Sequence, residues 1–302
     1  MELGYFKAAW GDIKNSPGWF GKVALLGLLC LVPVFGVIVL YGYAYGWARE
    51  IAWNIRMPLP ERILNNGDND SFYTRGVFAF VIALVCNLLP SFIDACLSVT
   101  VTVLAALFGV AGSSLAVFAV ASALFNGLVS LAVFLFGLVL VAIKWVGIMR
   151  MSIYGRLSAG FQVRRLWAMI RHDSNGILRI FGMYLLLSIA GAVAIVLVGA
   201  VLVVAFALPS IGSLISSASS GDEVASSVFS GLGFFSRVML VLVVCALVFA
   251  ASAYEAFVEL MVARAMGYWT ARFDVAAWRG QDDPMPFEAG AYIPTSPGGS
   301  GW

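Results

Sequence analysis

The chain has 302 residues, of which 62% are hydrophobic and only 11% are charged. Soluble domains are roughly 45–50% apolar and about 25% charged, so a soluble fold could not bury this much apolar surface. The formal net charge of +2 is too small to indicate a nucleic-acid partner, and the composition predicts a protein whose main solvent is lipid.

The first apolar run covers residues 23–47, and basic residues stand on both of its flanks. Because lysine and arginine favour the cytoplasmic side of a membrane, both flanks are expected on the cytoplasmic face. A hairpin that turns near residues 33–36 satisfies this placement, whereas one crossing does not. Its arms of about 14 and 18 residues are short for full spans, which favours a re-entrant or tilted pair. A single span with an external N-terminus is the alternative.

The end of this run contains a step of small residues. Gly42 and Gly46 are four residues apart, a spacing that allows two membrane helices to approach closely. Three tyrosines and Trp47 alternate with them and suit the headgroup level of a bilayer. An arginine-bearing helix follows, and Pro58-Leu59-Pro60-Glu61 is expected to end it, because each proline disfavours helix in the residue before it.

These features together resemble a family of prokaryotic membrane proteins, the domain-of-unknown-function family DUF4013. The resemblance covers residues 1–280, and its most specific part is residues 18–61. It implies a polytopic bacterial or archaeal membrane protein and supplies no catalytic residues. The chain departs from the family pattern at residues 62–66, where Arg-Ile-Leu-Asn-Asn stands in place of the usual aromatic and acidic residues.

Two longer stretches are almost free of charge, and each is too long for one span, so each must fold back on itself. We expect helices at residues 76–108, 112–149, 177–208 and 232–268, with outer turns at 109–114 and 209–231. Residues 144–179 carry seven basic side chains and one acidic one, whereas 209–231 carries no basic residue. The positive-inside rule therefore places the basic loop 144–179 and the C-terminus in the cytoplasm.

Asp94 is an isolated acid within the first of these stretches. It follows Gly76 by a distance of about 27 Å along a straight helix, which is near the outer interface. An acid flanked by so much apolar sequence is a functional candidate, and a carboxylate hydrated from outside is the alternative. Asn87 could partner Asp94 in either case.

Glu255 and Glu259 lie one helical turn apart on one face of the last predicted helix, near its cytoplasmic end. Pairing with Lys144, Arg150 or Arg264 is the simpler interpretation. A pair that couples to a proton or cation is the other one.

The basic segment 150–171 interleaves arginines with apolar side chains and predicts an amphipathic helix on an anionic leaflet. Arginines that only determine topology, and a docking platform for a soluble partner, are the alternatives. The arginines of this prediction are Arg150, Arg156, Arg164, Arg165 and Arg171.

Similar aromatic and basic patterns before and after the apolar runs suggest repeat-like units at 1–60, 61–173 and 174–280. These units form a single predicted membrane domain, residues 1–280, and the proline- and glycine-rich tail 281–302 is expected to be disordered. The four cysteines lack metal-site spacing and there is one histidine. Known catalytic motifs are missing, so we expect no enzyme activity, no metal and no cofactor.

The sequence thus predicts an all-α, polytopic membrane protein with two long transmembrane hairpins, a short N-terminal hairpin and amphipathic interfacial helices. The leading functional hypothesis is a non-enzymatic protein of the cytoplasmic membrane that organises lipid or binds another membrane or cytoplasmic subunit. The alternative is a small transporter or permease with a polar site between the hairpins.

Overall fold

The computed structural model describes residues 4–64, 71–109, 115–217 and 234–288. Within these ranges all regular secondary structure is helical, which confirms the predicted all-α class. The helices are α1 (Tyr5–Lys14), α2 (Trp19–Cys30), α3 (Phe35–Ala52), α4 (Ser71–Gly109), α5 (Leu115–Tyr154), α6 (Leu157–Gly160), α7 (Val163–His172), α8 (Ser174–Ser217) and α9 (Phe234–Ala271), and a 3₁₀ turn follows at Val275–Ala277.

Four of these helices contain segments long and apolar enough to cross a membrane, with mean hydropathies of 2.2 to 2.5. They confirm the predicted polytopic helical architecture. The segments are Ser71–Thr100, Ser122–Tyr154, Ser174–Val201 and Val241–Ala271.

One predicted outer turn is wrong in part. The turn was expected to begin at Pro209, but α8 continues to Ser217. A proline removes one backbone hydrogen bond from a helix, and inside a membrane helix the neighbouring groups re-satisfy the freed carbonyl. The remainder of that turn, residues 218–231, and most of the other predicted turn, residues 110–114, lie outside the described residues.

The buried core lies at one end of the long helices. It combines the C-terminal half of α3 with residues 145–152 of α5 and residues 256–269 of α9. Helix α3 packs against both α4 and α9, and α9 also packs against α1, α2 and α8. Residues 185–201 of α8 and 238–248 of α9 instead expose large apolar side chains, as expected for surfaces that face lipid.

A buried arginine joins the helices of this core. Arg264 of α9 is fully buried, and its Nε donates a hydrogen bond to Asp12 Oδ2 at 2.7 Å. Its Nη1 and Nη2 donate to the carbonyl oxygens of Trp47 and Met57 at 3.0 and 3.3 Å. Because Asp12 precedes α2 and Met57 follows α3, both ends of the α2–α3 pair lie beside the same part of α9. The pair itself has arms of 12 and 18 residues, and whether it enters the bilayer stays a prediction.

The C-terminal segment 281–288 is ordered against α5 and α7, so the prediction of a disordered tail is wrong for these residues. Arg150 Nη2 donates to the Gln281 carbonyl at 2.6 Å, and the Phe287 ring stacks on His172 with centroids 4.5 Å apart. Met285 is buried. The prediction rested on the proline and glycine content of the tail. The apolar and polar side chains of this short segment are nevertheless sufficient to pack it against the helices. Residues 289–302 lie outside the described ranges.

Candidate functional site

The basic segment is not one helix. Helix α5 ends at Tyr154, and Gly155 follows with a φ of 66°. This left-handed conformation is one that glycine adopts readily and that ends a helix. Two shorter helices, α6 and α7, carry the rest of the segment. The chain therefore turns between Arg150 and Arg164, and the two arginines lie on different helices.

Arg150 is wrongly predicted as a lipid contact, because its side chain is fully buried. Its guanidinium donates to Gln162 Oε1 at 2.8 Å as well as to the carbonyl of Gln281, and it lies 5.2 Å from the centroid of the Tyr154 ring. The spacing of arginines along the sequence could not separate Arg150 from the others, because its burial depends on the C-terminal segment. Arg150 is therefore a structural residue.

Arg165 is also engaged within the protein. It forms an ion pair with Glu288, and its Nη2 donates to the Asp282 carbonyl at 3.1 Å. Its side chain is 23% exposed. A partly exposed pair of this kind contributes little to stability, and with the bond to Asp282 it engages two of the five guanidinium donors within the protein.

The remaining arginines of the prediction, Arg156, Arg164 and Arg171, are exposed. On α7 four exposed residues, Val163, Arg164, Trp167 and Arg171, fall within an arc of about 100°, and the exposed His172 lies outside it. Leu166 and Met169 point the other way and are buried in the core. Helix α7 therefore presents a face that combines arginines with apolar side chains; we call these four residues the α7 face.

The exposed side chains of the α7 face are unusual for a surface in water. Trp167 is 49% exposed and Val163 is 56% exposed, and Phe161 just before α7 is 39% exposed. Tryptophan and arginine together on one side of a short helix suit the boundary between headgroups and acyl chains. The guanidinium groups of Arg164 and Arg171 can donate to phosphate oxygens while the rings of Trp167 and Phe161 lie at the level of the glycerol groups.

Glu255 and Glu259 line one cavity between α8 and α9, as their four-residue spacing predicts for one helix face. The predicted pairing with Arg264 is wrong, because Arg264 binds Asp12 instead. On an α-helix Arg264 lies roughly 140° around the axis from Glu259 and faces α1 rather than the cavity. The predicted partner Arg150 is likewise taken by Gln162 and Gln281.

The structure does not bring Asp94 and Asn87 to the two glutamates. The cavity is lined by residues of α8 and α9 alone, whereas Asp94 and Asn87 belong to α4. Asp94 is half-buried and Asn87 is exposed. Asp94 lies close to the end of its candidate span, Ser71–Thr100. The cavity therefore holds only the two glutamates of the four predicted polar residues.

The two predicted packing glycines have different neighbours. A side-chain carbon on Gly42 would lie 2.7 Å from the Phe72 carbonyl oxygen of α4, so the two helix backbones meet there. A side-chain carbon on Gly46 would lie 2.8 Å from Arg75 Nη1. Gly42 thus allows close helix approach, and Gly46 leaves room for a guanidinium.

Three ionic contacts among the described residues were not predicted from the sequence. They are Arg264 with Asp12, Arg272 with Asp173 at 2.9 Å, and Arg165 with Glu288. The signal for the first is an arginine inside an otherwise apolar helix, which requires a buried partner. Within the described residues no group of three or more metal-ligating side chains comes together.

A family model described as "Protein of unknown function (DUF4013)" matches residues 25–204, which is more than half of the chain. The chain belongs to the DUF4013 family. The DUF4013 match includes the α7 face and ends within α8, so Glu255 and Glu259 fall beyond it. No curated protein and no solved structure matches this DUF4013 chain.

Proposed function

We propose that this DUF4013 protein is a non-enzymatic protein of the cytoplasmic membrane that binds and organises anionic lipid at the cytoplasmic leaflet. The observation that carries the proposal is the α7 face, where Arg164 and Arg171 are exposed beside Trp167 and Val163. Arg156 and Phe161 extend the same chemistry to the residues just before α7. The opposite side of α7 is fixed to the core by Leu166 and Met169, so the face is held in place without lipid.

The orientation of the protein in the membrane is part of the proposal. Residues 144–179 carry seven lysine and arginine side chains, and such basic segments stay on the cytoplasmic side. The anionic lipids of that leaflet attract basic side chains with about 1 kcal/mol for each lysine or arginine near the surface. Three exposed arginines would therefore contribute about 3 kcal/mol, or roughly a hundredfold preference for anionic over neutral lipid.

The test measures which lipids stay with the protein. The purified chain is reconstituted in nanodiscs of equal phosphatidylglycerol and phosphatidylcholine, and the lipids retained after transfer to detergent are counted by native mass spectrometry. The variant replaces Arg156, Arg164 and Arg171 by glutamine. A control variant replaces Arg56, Arg62 and Arg279, which are also exposed, and so removes the same charge from other places.

Loss of the phosphatidylglycerol preference in the first variant and its retention in the control would support the proposal. Equal retention in both variants would overturn it. If the first variant keeps its lipids but loses a co-purifying protein, the α7 face is a docking platform for a subunit and lipid organisation is rejected.

A further inference from the structure

A cavity of about 430 Å³ lies between α8 and α9. Its polar lining consists of Tyr184 and Ser188 from α8 and Tyr254, Glu255 and Glu259 from α9. Both glutamates belong to the candidate span of α9, Val241–Ala271, where the packed core of residues 256–269 begins. Carboxylates within such a span are costly unless something compensates their charge.

The inner carboxylate is only partly satisfied by the protein. Glu259 Oε1 is buried and lacks a well-aligned hydrogen bond among the described residues, and the Tyr45 hydroxyl is the protein donor directed at this carboxylate. Lys144 and Tyr41 also interact electrostatically with Glu259, but within the part of the chain that the structure describes no basic nitrogen lies within 4.0 Å of its carboxylate. Buried polar atoms in native proteins nearly always have a partner, and a carboxylate accepts about four hydrogen bonds, so Glu259 has room for a donor from outside the chain besides Tyr45.

The outer carboxylate stands at the mouth of the cavity. Glu255 is exposed, and so is Ile195, which lines the cavity from the other helix. The surfaces on either side are the apolar residues of α8 and α9 that face lipid. The cavity therefore opens sideways toward the acyl chains, and Glu255 is the first polar group that a molecule entering from the bilayer meets.

One wall of the cavity is held by contacts within the protein. The Tyr254 hydroxyl donates to the Leu187 carbonyl at 2.6 Å, which holds the ring across the gap between the helices. Gly191 makes room for that ring, because a side-chain carbon at this position would collide with Tyr254. The face of a tyrosine ring attracts ammonium groups, so Tyr184 and Tyr254 add a second attraction for a cation beside the carboxylates.

We infer that this cavity binds an ammonium group carried by a lipid headgroup, with Glu259 as the inner acceptor and Glu255 at the mouth. A cavity of this volume is much larger than a bare metal ion requires, since one water in the liquid occupies about 30 Å³. A primary ammonium donates three hydrogen bonds, enough for Glu259, Glu255 and a tyrosine hydroxyl. A phosphatidylethanolamine headgroup has this chemistry, and free ethanolamine is the soluble source of the same group.

The experiment compares ethanolamine lipid with glycerol lipid on the full chain. Native mass spectrometry is applied to protein from nanodiscs of phosphatidylethanolamine and phosphatidylglycerol in equal amounts, and free ethanolamine is titrated separately against protein in nanodiscs of phosphatidylglycerol alone. Glu255→Gln and Glu259→Gln are compared with Glu61→Gln, an exposed glutamate outside the cavity. Thermal unfolding checks that each variant folds, and Glu255→Gln at the mouth keeps the test available if Glu259→Gln does not fold.

Retention of phosphatidylethanolamine by the wild type and by Glu61→Gln, with a drop of about tenfold in the cavity variants, supports the inference. Binding of free ethanolamine but not of the lipid assigns the same ammonium chemistry to a soluble source and rejects the lipid. No preference for either amine, or a preference unchanged by Glu255→Gln and Glu259→Gln, overturns the inference. The phosphatidylglycerol preference proposed for the α7 face is unaffected by the cavity variants, so the two proposals can fail separately.

Discussion

Among single residues, Arg264 connects distant parts of the chain. It donates to Asp12, which is 252 positions away, and to the carbonyls of Trp47 and Met57. Its guanidinium also lies 4.1 Å from the centroid of the Trp47 ring. A planar fork with five donors can make these contacts together, whereas a lysine ammonium cannot reproduce them.

Replacing Arg264 is therefore expected to destabilise the core. Arg264→Met leaves the Asp12 carboxylate without its cation and should lower the free energy of unfolding by about 3 kcal/mol, since Asp12 remains partly hydrated. Arg264→Lys should fall between this variant and the wild type. The measurement is tryptophan-fluorescence unfolding in lipid nanodiscs. Arg179→Met at an exposed position is the control, and equal midpoints for the two methionine variants would contradict the prediction.

Some residue contacts follow from the sequence and others do not. The four-residue spacing of Glu255 and Glu259 places them on one face, and both line the same cavity. Their partners could not be predicted, because the nearest arginine along α9 points elsewhere and binds α1. The burial of Arg150 was missed for a related reason, since the segment that covers it lies more than 130 positions away.

Between elements, close backbone contact decides which helices pack. Gly267 of α9 lies against α3, where an added side-chain carbon would come 2.5 Å from the Ala48 carbonyl oxygen and would also meet Ile51. Gly182 of α8 has no neighbour within 4 Å of that position.

Gly267→Ala is therefore expected to push α9 away from α3 and to lower the unfolding free energy by about 1–3 kcal/mol. Gly182→Ala should cost nothing, because open space surrounds it and alanine favours helix. The same nanodisc unfolding assay compares the two variants. A loss of stability in Gly182→Ala as large as that in Gly267→Ala would show that the contact with α3 is not the cause.

The C-terminal segment 281–288 is expected to hold α6 and α7 in place. Truncation after Gly280 removes the carbonyl of Gln281 from Arg150 and the Phe287 ring from His172. Amide hydrogen exchange in residues 156–172 should then become at least several-fold faster, because local opening becomes less costly. Truncation after Glu288 keeps these contacts and is the control. Identical exchange in both truncated proteins would show that the segment does not support α7.

Helix positions were predictable where apolar runs are long. The predicted helix 76–108 corresponds to Ser71–Gly109, and the predicted helix 112–149 corresponds to Leu115–Tyr154. The boundaries differ because residues at the helix ends can be helical without belonging to the apolar run from which the helix was predicted.

The repeat-like units stay a prediction. The two segments that suggested them are ten-residue helices, α1 and α7, but Trp10 packs against Trp19 and Phe257 while Trp167 is exposed.

At the scale of the whole molecule, ion pairs and hydrogen bonds gather at the end that carries the basic residues. Arg272 contacts both Asp173 and the Tyr5 hydroxyl, at 2.9 and 3.0 Å, so α1, the start of α8 and the end of α9 meet there. The α7 face belongs to this same end, while the apolar surfaces of α8 and α9 lie beyond it. This polarity of the molecule suits a membrane protein with one packed end near a membrane interface and helices that extend into lipid, and the proposed orientation makes that interface the cytoplasmic one.

This arrangement predicts the side from which each segment can be labelled. In a background without the native cysteines, Asn15→Cys and Ser174→Cys should react with a membrane-impermeant maleimide only after the cells are opened, whereas Ser220→Cys in the segment 209–231 should react in intact cells. Asn15 is expected on the same side as Ser174 because Arg264 contacts residues before α2 and after α3, and a chain that leaves and returns to one end must turn between them. Labelling of Asn15→Cys in intact cells would instead require a single N-terminal span with Asn15 outside. Asp12 would then also lie outside, and it could not contact Arg264 while the end of α9 is cytoplasmic.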